Sequence, residues 1–165
     1  RAVELIEEGS TIFLGTGTTV EQMASLLPAC RLRIVTNSLS VFNLLEARED
    51  CDLCLVGGMY RRRTGAFVGP TAEDTLRALG IDAAFIGANG ILDGDVSTSN
   101  MDEGRIQQLA FSKADSRYLI ADSSKIGKRD FYTFCRLDSL DAVVCEPSIS
   151  AEDRAAIEEH TQVIC

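Results

Sequence analysis

Thr11-Ile12-Phe13-Leu14-Gly15-Thr16-Gly17-Thr18-Thr19-Val20 is the stretch whose reading decides the fold. A short apolar run, Ile12 to Leu14, reads as a buried strand, and a Gly-Thr-Gly-Thr-Thr turn follows at once. Beyond the turn, Val20, Met23, Ala24, Leu26 and Leu27 recur at helical spacing. Strand, glycine turn and helix start together form a recipe for an anion site. Glycine lets the backbone approach a ligand, and the free N–H groups of a helix start point at it with the positive end of the dipole. Threonine hydroxyls add donors to phosphate oxygens. The turn lacks the Gly-Lys-Ser/Thr of a P-loop and the full glycine pattern of a dinucleotide site, so no nucleotide cofactor is expected. The plain alternative is an ordinary tight strand-to-helix turn.

The same grammar repeats outward from this stretch. A helix ending before Pro28 is followed by a strand at Leu32, Ile34 and Val35 that stops at Thr36-Asn37-Ser38. A helix from about Ser40, with Val41, Leu44 and Leu45 as its buried stripe, leads to a strand, Leu53 to Val56, that ends in Gly57-Gly58. This βαβαβ rhythm predicts a parallel sheet with helices on its faces. Met59 to Pro70 breaks the rhythm and reads as an irregular or hairpin-like excursion carrying Arg61-Arg62-Arg63. A helix over Thr71 to Leu79, capped by Thr71, precedes a strand at Asp82 to Ile86 that closes on Gly87-Ala88-Asn89-Gly90. Asp93 to Asn100 reads as a polar loop, and a helix runs from about Met101 to Ser112. Strands are predicted at Arg117–Ala121, ending in Asp122-Ser123-Ser124-Lys125, and at Ala142–Cys145 and Gln162–Cys165. Phe131 to Cys135 is a short edge strand, and Ala151 to His160 an acidic helix. No linker or repeat divides the chain, which is expected to be one domain.

Composition removes several functions. With 25 acidic and 16 basic residues in 165, the net charge of −9 makes the domain a poor holder of DNA by itself, since phosphate contacts dominate that affinity. No apolar run reaches membrane-spanning length and no signal peptide is visible, so a cytoplasmic protein without membrane contact is expected. Cys30, Cys51, Cys54, Cys135, Cys145 and Cys165 are scattered, Cys51 and Cys54 make a lone C-x-x-C, and His160 is the one histidine. That is a poor zinc ligand set, and buried reduced thiols are expected instead. The chain begins at Arg1, not methionine, within what reads as a helix closed by Gly9, so a piece of a longer protein is expected.

Open α/β sheets bind ligands at the carboxyl ends of their strands, where strand order switches. Here the strand ends are small or hydrogen-bonding at Gly15 to Thr19, Asn37-Ser38, Gly57-Gly58, Gly87 to Gly90 and Asp122 to Lys125. Together they describe a rim rich in donors. Lys125 and one of Arg61, Arg62 or Arg63 supply positive charge that suits phosphate.

The Gly17-Thr18-Thr19 turn, Thr36-Asn37-Ser38, Gly57-Gly58 with Arg61, Val68-Gly69, Asp82 to Gly90 and Asp122-Ser123-Ser124-Lys125 follow one another as in DeoR-type bacterial repressors. Nearly the whole chain resembles the C-terminal effector-binding domain of that family. The resemblance implies a Rossmann-like, open, mostly parallel sheet with helices on both faces, related to sugar-phosphate isomerases such as ribose 5-phosphate isomerase. It implies a transcription regulator that senses a phosphorylated sugar and self-associates, with DNA held by an N-terminal winged helix-turn-helix absent here. Two departures stand out. Gly15-Thr16 occupies the place where the family often has an acidic residue and a serine, and Gln107 lies near a frequent lysine.

The expected ligand contacts are Gly15, Thr16, Gly17, Thr18, Thr19, Asn37, Ser38, Gly57, Gly58, Arg61, Gly87, Asn89, Glu103, Asp122 and Lys125. The serious rival is an aldose–ketose isomerase, which needs a carboxylate base and a lysine or equivalent for the enediolate. At the fourth strand end Asn89 cannot act as a base, and the loop Val96-Ser97-Thr98-Ser99 has no lysine. Glu103 is the one carboxylate placed to act as a base, and its simpler role is as a dipole partner in the first turn of its helix. A nucleotide-binding Rossmann enzyme is weaker still, since Thr36-Asn37-Ser38 offers no acid for a ribose. The sequence therefore points to a binder, with no catalytic residue and no metal or other cofactor.

Overall fold

The computed structural model describes all residues, Arg1–Cys165. A 3-10 turn, Ala2–Leu5, opens the chain in place of the expected helix. The first half then runs β1 (Thr11–Leu14), α1 (Thr18–Ser25), β2 (Leu32–Thr36), α2 (Leu39–Leu45), β3 (Cys51–Leu55), β4 (Met59–Arg61), β5 (Ala66–Val68) and α3 (Pro70–Arg77). The second half runs β6 (Ile81–Gly87), β7 (Gly90–Leu92), β8 (Asp95–Thr98), α4 (Met101–Lys113), β9 (Ala114–Ile120), β10 (Tyr132–Arg136), β11 (Ala142–Val144), α5 (Ala151–Glu158) and β12 (Gln162–Ile164).

Seven strands form one sheet in the order β12-β11-β9-β6-β1-β2-β3, and every pairing in it is parallel. The alternation of a strand explains why both faces are covered. Phe13 of β1 joins one core with residues of α3, α4 and α5, while its neighbours Ile12 and Leu14 join a second core with α1 and α2. All three side chains are fully buried, and each contributes about 1.5–3 kcal/mol by leaving water.

The chain lays β2 and β3 on one side of β1, then returns to place β6 on the other. The order therefore reverses between β1 and β6, and the two strand ends open a crevice there.

Several local expectations are corrected. Leu44 is half exposed, so the buried stripe of α2 is Val41 and Leu45 alone. The cap of α3 is Gly69, with Pro70 at the first helical position, which leaves Thr71 inside the helix. Asp93 to Asn100 is not a loop throughout. β7 and β8 form a hairpin there, and β10 pairs antiparallel with β8 to make a three-stranded sheet. Of the cysteines only Cys145 is buried, and the other five, also unpaired, are half-buried.

Thr36 ties the ends of the first two strands together. It is fully buried, its hydroxyl donates to the Leu14 carbonyl at 2.7 Å, and the same oxygen accepts from the Ser38 amide at 3.0 Å. Thr36→Val keeps the shape and strips both bonds, leaving buried polar groups unmatched. Denaturant unfolding should show a loss of about 1–3 kcal/mol.

Candidate functional site

The turn after β1 is shaped by Gly17, whose φ of 116° is closed to most side chains and which stands as the N-cap of α1. The cap has no side-chain hydrogen bond, and the first helical bond is Glu21 N–H to the Gly17 carbonyl. The amides of Thr18, Thr19 and Val20 thus have no acceptor in the protein. They border a cavity of about 550 Å³ at the crevice between the ends of β1 and β6, a size typical of small-molecule sites.

Four segments build its wall. The turn and first residues of α1 give Thr16 to Glu21, and the end of β6 gives Gly87, Ala88 and Asn89. The end of β8 and the inner face of α4 give Thr98, Ser99, Glu103 and Gln107, while Ile120, Ala121 and Lys125 close the far side. The β4–β5 hairpin lies over it with Tyr60, Arg62, Arg63, Thr64 and Gly65. Five of the 22 lining residues are hydrophobic, so the cavity suits a polar ligand.

The charge of the lining is uneven. Arg62, Arg63 and Lys125 take no ion-pair partner. The facing carboxylates are Glu21 and Glu103, and Glu103 is already engaged. Its Oε1 lies 2.7 Å from Arg61 Nε and accepts a hydrogen bond from the Thr64 hydroxyl. The Arg61 Nε–H is not aimed at that oxygen and has no other acceptor, so this is a charge contact and not a directed bond. Asn100 caps α4 by accepting from the Asp102 and Glu103 amides, both at 3.1 Å, which fixes where Glu103 begins its reach.

The opposite edge of the hairpin rests on the end of β2. The Asn37 side chain donates to the Phe67 carbonyl at 3.1 Å, the Phe67 amide to the Asn37 carbonyl at 2.8 Å, and the Leu39 amide to the Gly65 carbonyl at 2.9 Å. Gly58 lets the chain entering β4 pass close to the end of β5 and the start of α3. Its φ is +150°, and a side chain there would stand 2.6 Å from the Val68 carbonyl oxygen.

The expected site residues therefore divide. Thr16, Gly17, Thr18, Thr19, Gly87, Asn89, Glu103 and Lys125 come together in the lining. Gly15 packs beside Ile86, and Asn37, Ser38, Gly57, Gly58 and Arg61 lie outside the lining in the segments that carry it. Ser38 caps α2 by accepting from the Val41 amide at 3.3 Å. Asp122 accepts from the Ser124 amide at 2.9 Å, and hydrogen bonding to Ser124 holds its carboxyl below the usual range. It faces an adjacent, more apolar hollow with Cys145 and Glu146. Arg62, Arg63, Ser99 and Gln107 are lining residues beyond the expected set. The arginine run was the available signal for the first two, and the polar segment before α4 for Ser99.

The Asp122–Lys125 turn is anchored from β11. Both Glu146 carboxylate oxygens accept from the Ser123 amide, at 3.0 and 3.2 Å, and the Cys145 thiol donates to Oε2 at 3.0 Å. Burial works to raise the Glu146 carboxyl, but these hydrogen bonds outweigh it and bring it down to about 2. Burial also pushes the Cys145 thiol up to about 12, so it stays a donor.

Residues 1–146 match the model of the DeoR C-terminal sensor domain. The chain is 42% identical over 165 residues to the lactose phosphotransferase system repressor of Staphylococcus epidermidis, covering 99% of this chain and 65% of that protein. It is 40% identical over 167 residues to the repressor of the same name from Lactococcus lactis subsp. lactis, covering 99% of this chain and 66% of that one. The chain thus spans about two thirds of these relatives. Among solved structures, ribose 5-phosphate isomerase A from Methanocaldococcus jannaschii superposes with a TM-score of 0.53 at 19% identity, over 76% of this chain and 50% of that one. That similarity concerns the fold.

Two outcomes follow from this geometry. Glu103→Gln removes the charge that holds Arg61 and should lower stability by about 1–3 kcal/mol. Hydrogen exchange should then quicken at amides of residues 59–68 and not in β1 or β6. Separately, a carboxyl lowered from 4.5 to about 2 by folding stabilises fully above 4.5, and that contribution is lost as pH falls toward 2. Between those values the native protein should lose stability more steeply than Glu146→Gln, as read by urea unfolding at each pH.

Proposed function

Because the chain belongs to the family of DeoR C-terminal sensor domains, we propose that it is the effector-binding domain of a transcriptional repressor and that its effector is a phosphorylated sugar. The observation that carries this reading is the convergence of unpaired donors and cations on one cavity. The free amides of Thr18, Thr19 and Val20 and the threonine hydroxyls face a space shared with Arg62, Arg63 and Lys125. An anion of phosphate size satisfies the amides and the charges at once. The sugar would then extend toward Asn89, whose side-chain amide makes no hydrogen bond within the protein, and toward Ser99 and Glu103 on the α4 side.

In this proposal Thr16 to Thr19, Gly87, Asn89, Glu103 and Lys125 touch the effector. Gly15, Asn37, Ser38, Gly57, Gly58, Arg61 and Asp122 serve it through the segments they hold. The relatives' name, a repressor of a lactose phosphotransferase system, supports a sugar phosphate as the class of signal. The whole protein would bind DNA through a segment outside this chain, act in the cytoplasm and work as a homo-oligomer. No helix here is long and apolar enough to cross a membrane.

Isomerase chemistry is disfavoured by the state of its one candidate base. Glu103 is 5% exposed, and its Oε1 is already held by Arg61 and Thr64, so it serves as the anchor of the hairpin. A base that must take a carbon-bound proton has to be free to move onto the substrate, and this carboxylate is tied to the hairpin.

Thermal denaturation with galactose 6-phosphate, glucose 6-phosphate, ribose 5-phosphate, the free sugars and inorganic phosphate tests the reading. One sugar phosphate should raise the melting temperature, growing with the logarithm of its concentration, while its free sugar has no effect. The double variant Thr18→Val/Thr19→Val keeps the backbone amides but loses both hydroxyls, and its affinity for that ligand should fall about tenfold or more. No shift with any phosphate compound would overturn the sensor reading.

A further inference from the structure

Gln107 stands one helical turn after Glu103 on the same face of α4, where both line the cavity. It is 6% exposed. Its Nε2 donates to the Gly87 carbonyl at 3.4 Å, a long bond that nonetheless sets the amide's direction. The reverse orientation would bring two carbonyl oxygens face to face. The result is a buried Oε1 with no donor anywhere in the protein. A buried amide oxygen left unmatched is costly, and folded proteins keep few of them.

The neighbouring groups do not relieve it. Glu103, one turn back on the same face of the helix, is an acceptor engaged with the hairpin. Gly87 offers its carbonyl, which already faces Nε2. The Asn89 backbone N–H is taken by the Ser97 carbonyl at 2.9 Å. What remains is the cavity that Gln107 helps to line.

We propose that Gln107 is a specificity-determining residue of the effector site, its Oε1 accepting a hydrogen bond from a hydroxyl of the sugar. This rests on the reading of the cavity as a sugar-phosphate site and makes it more specific. A neutral acceptor repels phosphate oxygens and carbonyl oxygens alike, so it can only be matched by a donor. The phosphate therefore belongs to the amides of α1 and the three unpaired cations, and the group at Gln107 is an O–H of the sugar. A sugar phosphate that presents a carbonyl or carboxylate at that point leaves Oε1 unmatched and binds more weakly.

The test uses the intact domain, calorimetry, and whichever of galactose 6-phosphate, glucose 6-phosphate or ribose 5-phosphate stabilises the native chain most. Gln107→Met keeps the length of the side chain and removes the acceptor together with the long Nε2 bond to Gly87. Its affinity for that sugar phosphate should fall about tenfold, while affinity for inorganic phosphate stays as in the native chain. Monodeoxy analogues give an arm that needs no variant. One analogue should lose about tenfold against the native chain and nothing further against Gln107→Met, the coupling expected of groups in contact. Equal binding of the sugar phosphate by native chain and variant would overturn the proposal, and so would native affinities unchanged across the monodeoxy series. A variant that melts lower yet binds the sugar phosphate normally would assign Oε1 to a structural water and also overturn it. A native chain that prefers no sugar phosphate over inorganic phosphate is a separate result, read before any variant is made, and it overturns the sensor reading together with this one.

Discussion

Strand β1 is paired on both sides, with β2 and β6, and the chain departs from those two neighbours toward opposite edges of the sheet. The connections that follow β1 and β6 leave in different directions and do not fill the space between the two strand ends. The cavity is a consequence of that topology. The glycine turn after β1 and the Gly87–Asn89 segment after β6 then face each other across it, each following a buried apolar run, Ile12–Leu14 and Ala83–Ile86. Rigid strands behind and short turns in front hold a polar site to a narrow geometry.

The hairpin completes the site from outside. It is gripped at one edge by backbone and amide bonds to Asn37 and Leu39, and at the other by the Glu103 contacts with Arg61 and Thr64. Between these grips lie Arg62 and Arg63, which no protein carboxylate neutralises. The two grips differ in kind. The grip on the end of β2 is made by neutral backbone and amide groups, whereas the Glu103 grip joins a buried carboxylate to Arg61 and depends on charge. The side facing α4 holds Arg61 and Thr64, the residues that flank the two arginines in the chain.

Much of the fold is legible because the strands advertise themselves. Ile12 to Leu14 and Ala83 to Ile86 are apolar runs without interruption, as a parallel strand buried on both faces requires, and each ends in small polar residues. The β7–β8 hairpin is hidden for the opposite reason. Asp93-Gly94-Asp95 is the composition of a turn, and Ser97 and Thr98 are buried only because β10 pairs with β8 from more than thirty positions away. The site shows the same division. Thr16 to Thr19 could be found from local chemistry, since the turn itself makes the anion-binding groups. Asn37 looks identical in sequence to a ligand-facing asparagine, and only the packing of the hairpin turns its side chain into a strut. Gln107 stands out in the sequence only as a departure near a frequent lysine, which does not give it a role. A glutamine in a helix means little until its oxygen is seen to be buried without a donor.

Under the proposed function, the distribution of charge bears on how binding becomes a signal. A ligand shifts an equilibrium only by its difference in affinity for the two states. Arg62 and Arg63 ride on the hairpin, whereas Lys125 rides on the turn anchored by Glu146 beyond the opposite wall. An anion held between them binds best when both segments are drawn in, because separating like charges is favourable only while nothing lies between them. The neutral Gln107 beneath adds no charge to that balance and so discriminates among sugars without altering the pull on the hairpin. Strength of closure and identity of the ligand are therefore set by different residues. Under that reading, substitutions on α4 can change the sugar that is bound while leaving the cationic hold on the phosphate as it is.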